Sequence, residues 1–207
     1  MNLEKHNKGF TLVEILVTLA IVSIVMTVVY VVYTSSIRSY TTQDVAAGVQ
    51  QSIRVGIEYV AHDIRMAGFA PITGDNFGIE EAAASKIRFT LDTIDTTLAP
   101  PDYNAVIDDD ASERITYSFD SGNRLLIRIL DEDKDTESEL TLLDNVTALS
   151  FRYFDEAEND LGLPVPALNL EDIRGIDITL TIRESAGRGD PVERTITQRI
   201  LSRNIGL

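Results

Sequence analysis

The sequence predicts an α+β fold: one long amino-terminal helix, its first half apolar and its second half amphipathic, laid on an antiparallel β-sheet. Three observations predict it. From Ile15 to Ile37 no charged residue, Pro or Gly interrupts a run made mainly of Ile, Leu, Val and Ala. From Val45 to Ile64 apolar residues recur at helical spacing, and from Glu113 onward the period changes to two.

A helix needs about 20 apolar residues to cross the hydrocarbon of a bilayer, and the first run is long enough. Thr18, Ser23 and Thr27 do not oppose this, because short hydroxyls bond back to helix carbonyls a turn earlier. A cleaved secretory signal has a shorter apolar core, about 7–15 residues, followed by a small-x-small cleavage site. Tyr30, Tyr33, Thr34 and Ser35 stand there instead, so the segment is expected to be retained.

The helix is expected to continue out of the membrane. Val45, Val49, Ile53, Ile57, Val60 and Ile64 form one stripe, and Gln50, Gln51, Arg54, Glu58, His62 and Arg65 lie on the other face, with Arg54 and Glu58 spaced as an ion pair. Gly68 and Pro71 stop it. A helix from Thr11 to Ala67 would be about 85 Å long at 1.5 Å per residue. Gly48 and Gly56 each weaken this half by up to about 1 kcal/mol relative to Ala, which suits points of close approach. Residues 70–112 read as mostly irregular, broken by Pro71, Gly74, Asp75, Asn76, Gly78, Pro100, Pro101 and Asp108-Asp109-Asp110, with one strand from Lys86 to Leu91. Such long connections are often functional, so a partner surface could lie there.

Ile115, Tyr117 and Phe119 alternate with polar residues, Asp120-Ser121-Gly122-Asn123 turns the chain, and Leu125, Ile127 and Ile129 return as the second arm of a hairpin. Further strands are expected at Leu140–Leu143, Val146–Phe154, Ile176–Ile182 and Val192–Ile200, with a turn from Gly187 to Pro191. An antiparallel sheet with one face under the amphipathic helix follows.

The length of 207 residues suits one membrane helix and one globular domain, and the part after Ile37 keeps the whole net charge of −15. That balance excludes nucleic acid as the partner, since it requires basic patches. Cys is absent, which excludes disulfides and Cys-ligated zinc. An enzyme is not expected: His6 and His62 are the two imidazoles, no Gly-x-Ser-x-Gly occurs, and the carboxylates are too diffuse to nominate an acid and a base.

The short leader Met1–Lys8 ends in Lys8-Gly9, directly before Phe10-Thr11-Leu12-Val13-Glu14 and the apolar run. This junction resembles that of type IV prepilins. The resemblance implies cleavage by prepilin peptidase between Gly9 and Phe10, N-methylation of Phe10, and an assembly role for Glu14 opposite the amino group of Phe10 in a neighbouring subunit. The physics fits: Gly9 allows close approach to the backbone, Lys5 and Lys8 favour the cytoplasmic side, and a carboxylate at the head of a spanning helix reads as functional within this motif, whereas alone it would equally suit the headgroup level beside a helix N-terminus. Major pilins often carry a proline about two-thirds along the run; Val31 stands there, so no kink is expected. Asp63-Ile64-Arg65-Met66-Ala67-Gly68-Phe69 is similar to the end of the first helix in PilW-type minor pilins, relatives of J-type minor pseudopilins.

Together these imply a type IV pilin-like fold divided into a leader (1–9), a transmembrane or filament-core half of the helix (10–37), an amphipathic half (38–69) and a β-rich globular domain (70–207). They imply a minor pilin or pseudopilin of a type IV pilus or type II secretion pseudopilus, near the tip as an initiation or adhesion component. Its partners would be prepilin peptidase, other pilins or pseudopilins and an inner-membrane assembly platform. The chain would cross the inner membrane once, leader in the cytoplasm and carboxy-terminal domain exported, before entering the filament. A major subunit and a membrane-anchored binding protein that never polymerises are the alternatives.

No resident cofactor is expected beyond a calcium candidate. Asp131, Asp133 and Asp135 alternate as in the first half of an EF-hand loop, but Thr136 replaces its Gly and Leu142 its closing Glu. A solvated acidic turn is the simpler account of the run Asp131–Glu139. Arg188-Gly189-Asp190 is expected as a charged turn, and Asn145, in the formal glycosylation triplet Asn145-Val146-Thr147, as a turn residue.

Overall fold

The computed structural model describes residues 9–205 except 73, 75, 96–101, 108–111, 188 and 203. The leader as far as Lys8, the run Asp108-Asp109-Asp110 and Arg188 therefore lie outside the described residues.

Helix α1 runs unbroken from Leu12 to Met66, 55 residues, which at 1.5 Å each is about 82 Å. It stops where Gly68 takes a left-handed backbone, φ 76°, while Ala67 serves as the C-cap with its N–H on the Ile64 carbonyl. The helix thus ends one residue before the expected Ala67, and residues 67–69, the end of the segment 38–69, form the turn that leaves it. A Cβ on Gly68 would lie 2.7 Å from the Asn204 carbonyl oxygen, so the carboxy-terminal segment also requires glycine there.

Among the described residues ten strands follow: β1 Ile79–Ala82, β2 Lys86–Thr90, β3 Ile94–Asp95, β4 Asp102–Tyr103, β5 Arg114–Asp120, β6 Leu125–Leu130, β7 Ser138–Leu143, β8 Val146–Phe154, β9 Gly175–Glu184 and β10 Val192–Leu201, with a 3-10 turn at Ala167–Asp172 between β8 and β9. The architecture is the expected one, a long helix on antiparallel β-structure, but the strands form two main sheets rather than one. The first has the order β1-β2-β5-β6-β7 and the second β10-β9-β8; β3 and β4 pair separately. The division falls at Asp144-Asn145. Asn145 has φ 56°, a conformation Asn tolerates better than most residues, and it turns the chain so that β8 pairs with β9 rather than with β7. The two sheets stay joined, since the Phe151 N–H donates to the Ala84 carbonyl at 2.8 Å and the Tyr153 hydroxyl to that of Ala83 at 3.1 Å.

The helical stripe supplies one wall of the core. Val49, Ile53, Ile57, Val60 and Ile64 are buried in one core with Leu149, Phe151 and Tyr153 of β8 and Ile176, Ile178, Leu180 and Ile182 of β9, the helix lying chiefly along β10 and β9, each full burial being worth about 1.5–3 kcal/mol. Alternation explains the other face of this sheet: Thr179 meets Thr197 and Thr181 meets Thr195, each pair 2.9 Å apart between hydroxyls. Gly56 lets the helix approach β7, since a Cβ there would sit 2.2 Å from Leu143 Cδ1. Gly48 does not mark such a point, because a Cβ would meet nothing within 4 Å. Arg54 and Glu58, expected as a pair, stay apart and exposed.

Candidate functional site

At the start of α1 the local sequence builds a capping box. Thr11 has an extended backbone and its hydroxyl oxygen accepts from the Glu14 N–H at 3.3 Å, while the Glu14 carboxylate accepts from the Thr11 N–H at 2.9 Å and the Thr11 hydroxyl at 3.0 Å. Two of the amides left open at any helix start are thereby satisfied. The carboxylate of Glu14 is turned back toward the beginning of the chain, one residue from Phe10. Phe10 is 84% exposed, and a Cβ on Gly9 would touch no atom within 4 Å. Among the described residues nothing covers Gly9 or Phe10, and a carboxylate lies one turn after them.

From Phe10 to Ile37 every large apolar side chain is exposed. A soluble monomer rarely leaves a contiguous apolar patch above a few hundred Å² in water. This half of α1 is long and apolar enough to cross a membrane, and its hydroxyls need no water: Thr18 donates to the Glu14 carbonyl at 2.6 Å, Ser23 to Ala20 at 2.8 Å and Thr27 to Ser23 at 2.8 Å. The first half of the rod is built for an apolar surrounding, lipid or other helices.

The second half is held by a clamp that sequence reasoning missed. The Asp63 carboxylate accepts from the Tyr117 hydroxyl at 2.7 Å and from Arg128 Nε at 2.9 Å, and the Arg128 guanidinium lies 5.8 Å from the Tyr59 ring centroid. Burial pushes the Tyr117 hydroxyl pKa far up, and the adjacent Asp63 carboxylate pushes it further. The clamp ties α1 to β5 and β6, giving Asp63 of the Asp63–Phe69 segment a structural role. Its one sequence signal was a carboxylate beside the buried stripe.

The alternating acids of residues 131–139 do not converge. Asp131 is buried, Asp133 and Asp135 are exposed, and among the described residues no group of three His, Cys, Asp or Glu side chains is placed to hold a metal ion. Glu132 turns to β2 instead, where it bonds both Arg88 and Lys86, the latter at 3.0 Å, and accepts from Thr116 at 2.9 Å. Asp133 joins Arg88 at 3.1 Å, and Glu137 accepts from the Asp133 N–H at 2.8 Å. Burial opposes ionisation of Glu132, but the bonds from Arg88, Lys86 and Thr116 outweigh it and hold the carboxyl below its ordinary range. His62 is exposed, and its Nδ1 lies 3.4 Å from the carboxylate of its neighbour Asp63.

Residues 5–30 match the prokaryotic N-terminal methylation motif. A type IV-like pilin from Thermus thermophilus resembles the structure over 76% of this chain and 98% of its own, at 9% identity and a TM-score of 0.47. No curated protein matches the chain.

Proposed function

We propose that the chain is a type IV pilin-like subunit, cut by prepilin peptidase between Gly9 and Phe10, N-methylated on Phe10 and assembled through α1 into a pilus or secretion pseudopilus. The observation that carries this is the junction itself: an open Gly9–Phe10 bond, a carboxylate at Glu14 folded back toward it, and an exposed apolar rod directly behind. In a membrane or filament core the Glu14 carboxylate is costly to bury unless paired. The new amino group of a neighbour is the partner its position favours, and exchanging the Thr11 bonds for that ion pair would set the register between subunits.

Cleavage would remove residues 1–9 and leave residues 10–37 as the spanning or filament-core half, 38–69 as the amphipathic half and 70–207 as the exported domain. The prepilin peptidase, an inner-membrane assembly platform and other pilins are the partners this route requires. The work is structural rather than catalytic. We assign a minor rather than a major position, near the tip in initiation or adhesion, because the Asp63–Phe69 segment is PilW-like and because a net charge of −15 repels identical neighbours at close spacing.

Mass spectrometry of the protein recovered from membranes tests the proposal. The expected amino terminus is N-methylated Phe10, and Gly9→Val should leave the leader attached. An intact Met1 in the wild type would abandon it. Sheared filaments in which this chain dominates would favour the major-subunit alternative.

A further inference from the structure

At the end of the domain farthest from the apolar half of α1, a hollow of about 790 Å³ lies between residues 68–80, the 3-10 turn and the carboxy-terminal segment. That size falls within the range of small-ligand sites, about 300–1,000 Å³. The hollow starts where α1 stops at Met66, about 42 Å past Arg38 along the axis, clear of any lipid headgroup.

One wall is a loop closed at its neck. The Gly68 N–H donates to the Thr90 carbonyl at 2.9 Å, the Thr90 N–H to the Gly78 carbonyl at 2.8 Å and the Gly78 N–H to the Thr90 hydroxyl at 3.0 Å. A single buried residue thus fastens both ends of the loop, the form of a compact surface loop that is frequently functional. The other wall is Leu170 and Glu171 of the 3-10 turn with Asn204, whose amide is tied to the Arg65 carbonyl at 3.3 Å. The two walls meet where the Asn76 amide donates to the Glu171 carboxylate at 3.2 Å.

The hydrogen-bonding groups of this hollow exceed what the fold uses. Among the described residues the N–H groups of Ala70, Ile72, Asn76 and Phe77, all of which line it, make no hydrogen bond within the chain. Backbone donors are otherwise paired with chain, water or ligand. The amide oxygen of Asn76 and the second carboxylate oxygen of Glu171 are open as well. Apolar surface stands beside them: Phe69, set edge-on to Tyr103 at 5.9 Å, and Ile72, 47% exposed.

Charge narrows the ligand class. Among the described lining residues Glu80 and Glu171 are the charged ones, and both turn away phosphate, sulfate and carboxylate groups. Glu80 is neutralised by Arg114 at 2.9 Å, which leaves one uncompensated carboxylate, too little for a trap built for cations. Carboxylate and amide acceptors, open backbone donors and an aromatic and aliphatic flank together match a neutral molecule rich in hydroxyls that also has a C–H face.

We propose that this hollow binds a neutral carbohydrate, a short oligosaccharide whose hydroxyls meet Asn76, Glu171 and the open loop amides while a C–H face lies on Phe69 and Ile72. The proposal supplies a ligand class for the adhesion role proposed above and rests on that role for its setting.

The test uses the full chain, recovered in detergent from the membranes of its source and detected by antibody on an array of neutral, sialylated and sulfated oligosaccharides printed beside basic peptides. Retention of neutral oligosaccharides is expected, at least about tenfold above their sialylated or sulfated forms. Asn76→Ala and Glu171→Ala, both at exposed side chains, should each weaken the Kd of the best-retained glycan, measured by calorimetry, at least about tenfold with an unchanged unfolding midpoint. Arg54→Ala, exposed on α1, should leave that Kd within a factor of about two. An array that retains no neutral glycan, retention of acidic glycans or basic peptides in their place, or a Kd indifferent to both variants overturns the carbohydrate site. Mass spectrometry of the same preparation separates the two readings: N-methylated Phe10 without glycan retention removes the site and leaves assembly, whereas an intact Met1 with retention that depends on Asn76 and Glu171 removes assembly and leaves the site.

Discussion

Truncating Asp63 should reveal how α1 is held to β5 and β6. In Asp63→Ala the Tyr117 hydroxyl, in a side chain with no exposure, loses its acceptor, a loss worth about 1–3 kcal/mol. Arg128, whose side chain is 15% exposed, is left as a cation without its carboxylate. Breaking a fully buried pair costs about 3–5 kcal/mol; the remaining access of both partners to water reduces that, and a total near 3 kcal/mol is expected. Tyr117→Phe removes one donor while Arg128 still satisfies the carboxylate, so about 1 kcal/mol is expected. Since both changes delete the same bond, the double variant should fall short of additivity by about 1 kcal/mol. Urea unfolding of the full chain in detergent, followed by far-UV circular dichroism and by tyrosine emission, measures all three, and the absence of Trp leaves that emission unobscured. An Asp63→Ala variant within about 0.5 kcal/mol of wild type, the range of neutral surface changes, would refute the clamp. So would a Tyr117→Phe variant as unstable as Asp63→Ala.

Gly68→Ala should destabilise by about 1–3 kcal/mol in the same unfolding assay, because a side chain must adopt the left-handed region and meets the Asn204 carbonyl at 2.7 Å. Alkaline pH should unfold the domain: burial raises the hydroxyl pKa of Tyr117, helped by Asp63, and of Tyr153, helped by Glu81. With folded values above unfolded ones, this stability is complete below about pH 10 and falls above it by up to about 1.4 kcal/mol per pH unit for each tyrosine; Tyr117→Phe should remove about half of the slope. Glu132 acts at the other end. Its lowered pKa contributes stability that is present above the ordinary Glu range and lost as pH falls through and below it. Glu132→Gln should therefore lose about 2 kcal/mol at pH 7 and show a flatter acid limb in pH-dependent unfolding.

The elements were legible where one period dominates. The stripe Val45–Ile64, the hairpin through Asp120–Asn123 and the strand Ile176–Ile182 all lie where periodicity puts them, because a half-buried face imposes its period on the sequence. Strand pairing was not legible. β7 and β8 are consecutive and both alternate, yet a single left-handed residue, Asn145, sends them to different sheets, and periodicity carries no record of which edge a strand meets. β1 went unread because its four residues include Glu80 and Glu81, which become legible as strand residues only once Arg114 and Lys86 are seen beside them. The junction was the opposite case: Gly9, Phe10 and Glu14 stood out in sequence through their resemblance to a prepilin junction, and the structure leaves Gly9 and Phe10 exposed just before the capping box that Glu14 closes.

In the acidic run Asp131–Glu139, spacing alone does not tell whether the carboxylates face a ligand or the chain's own cations. Alternate carboxylates on a turn look alike whether they surround a cation or answer cations already in the chain. The difference lies in Lys86 and Arg88, more than forty residues earlier on β2, whose own alternation puts both ammonium and guanidinium on one face of the first sheet. Once Glu132 and Asp133 are drawn to them, the acids at 131, 133 and 135 no longer face a common centre. The turn then serves the fold by pinning the end of β6 across β5 and β2. Replacing both cations, as Lys86→Met with Arg88→Met, should therefore release the turn: faster amide exchange at Glu132 and Asp133, with the exchange of α1 between Val49 and Ile64 unchanged. Unchanged exchange at the turn would mean that its own hydrogen bonds, such as that of Glu137 to the Asp133 N–H, suffice to hold it.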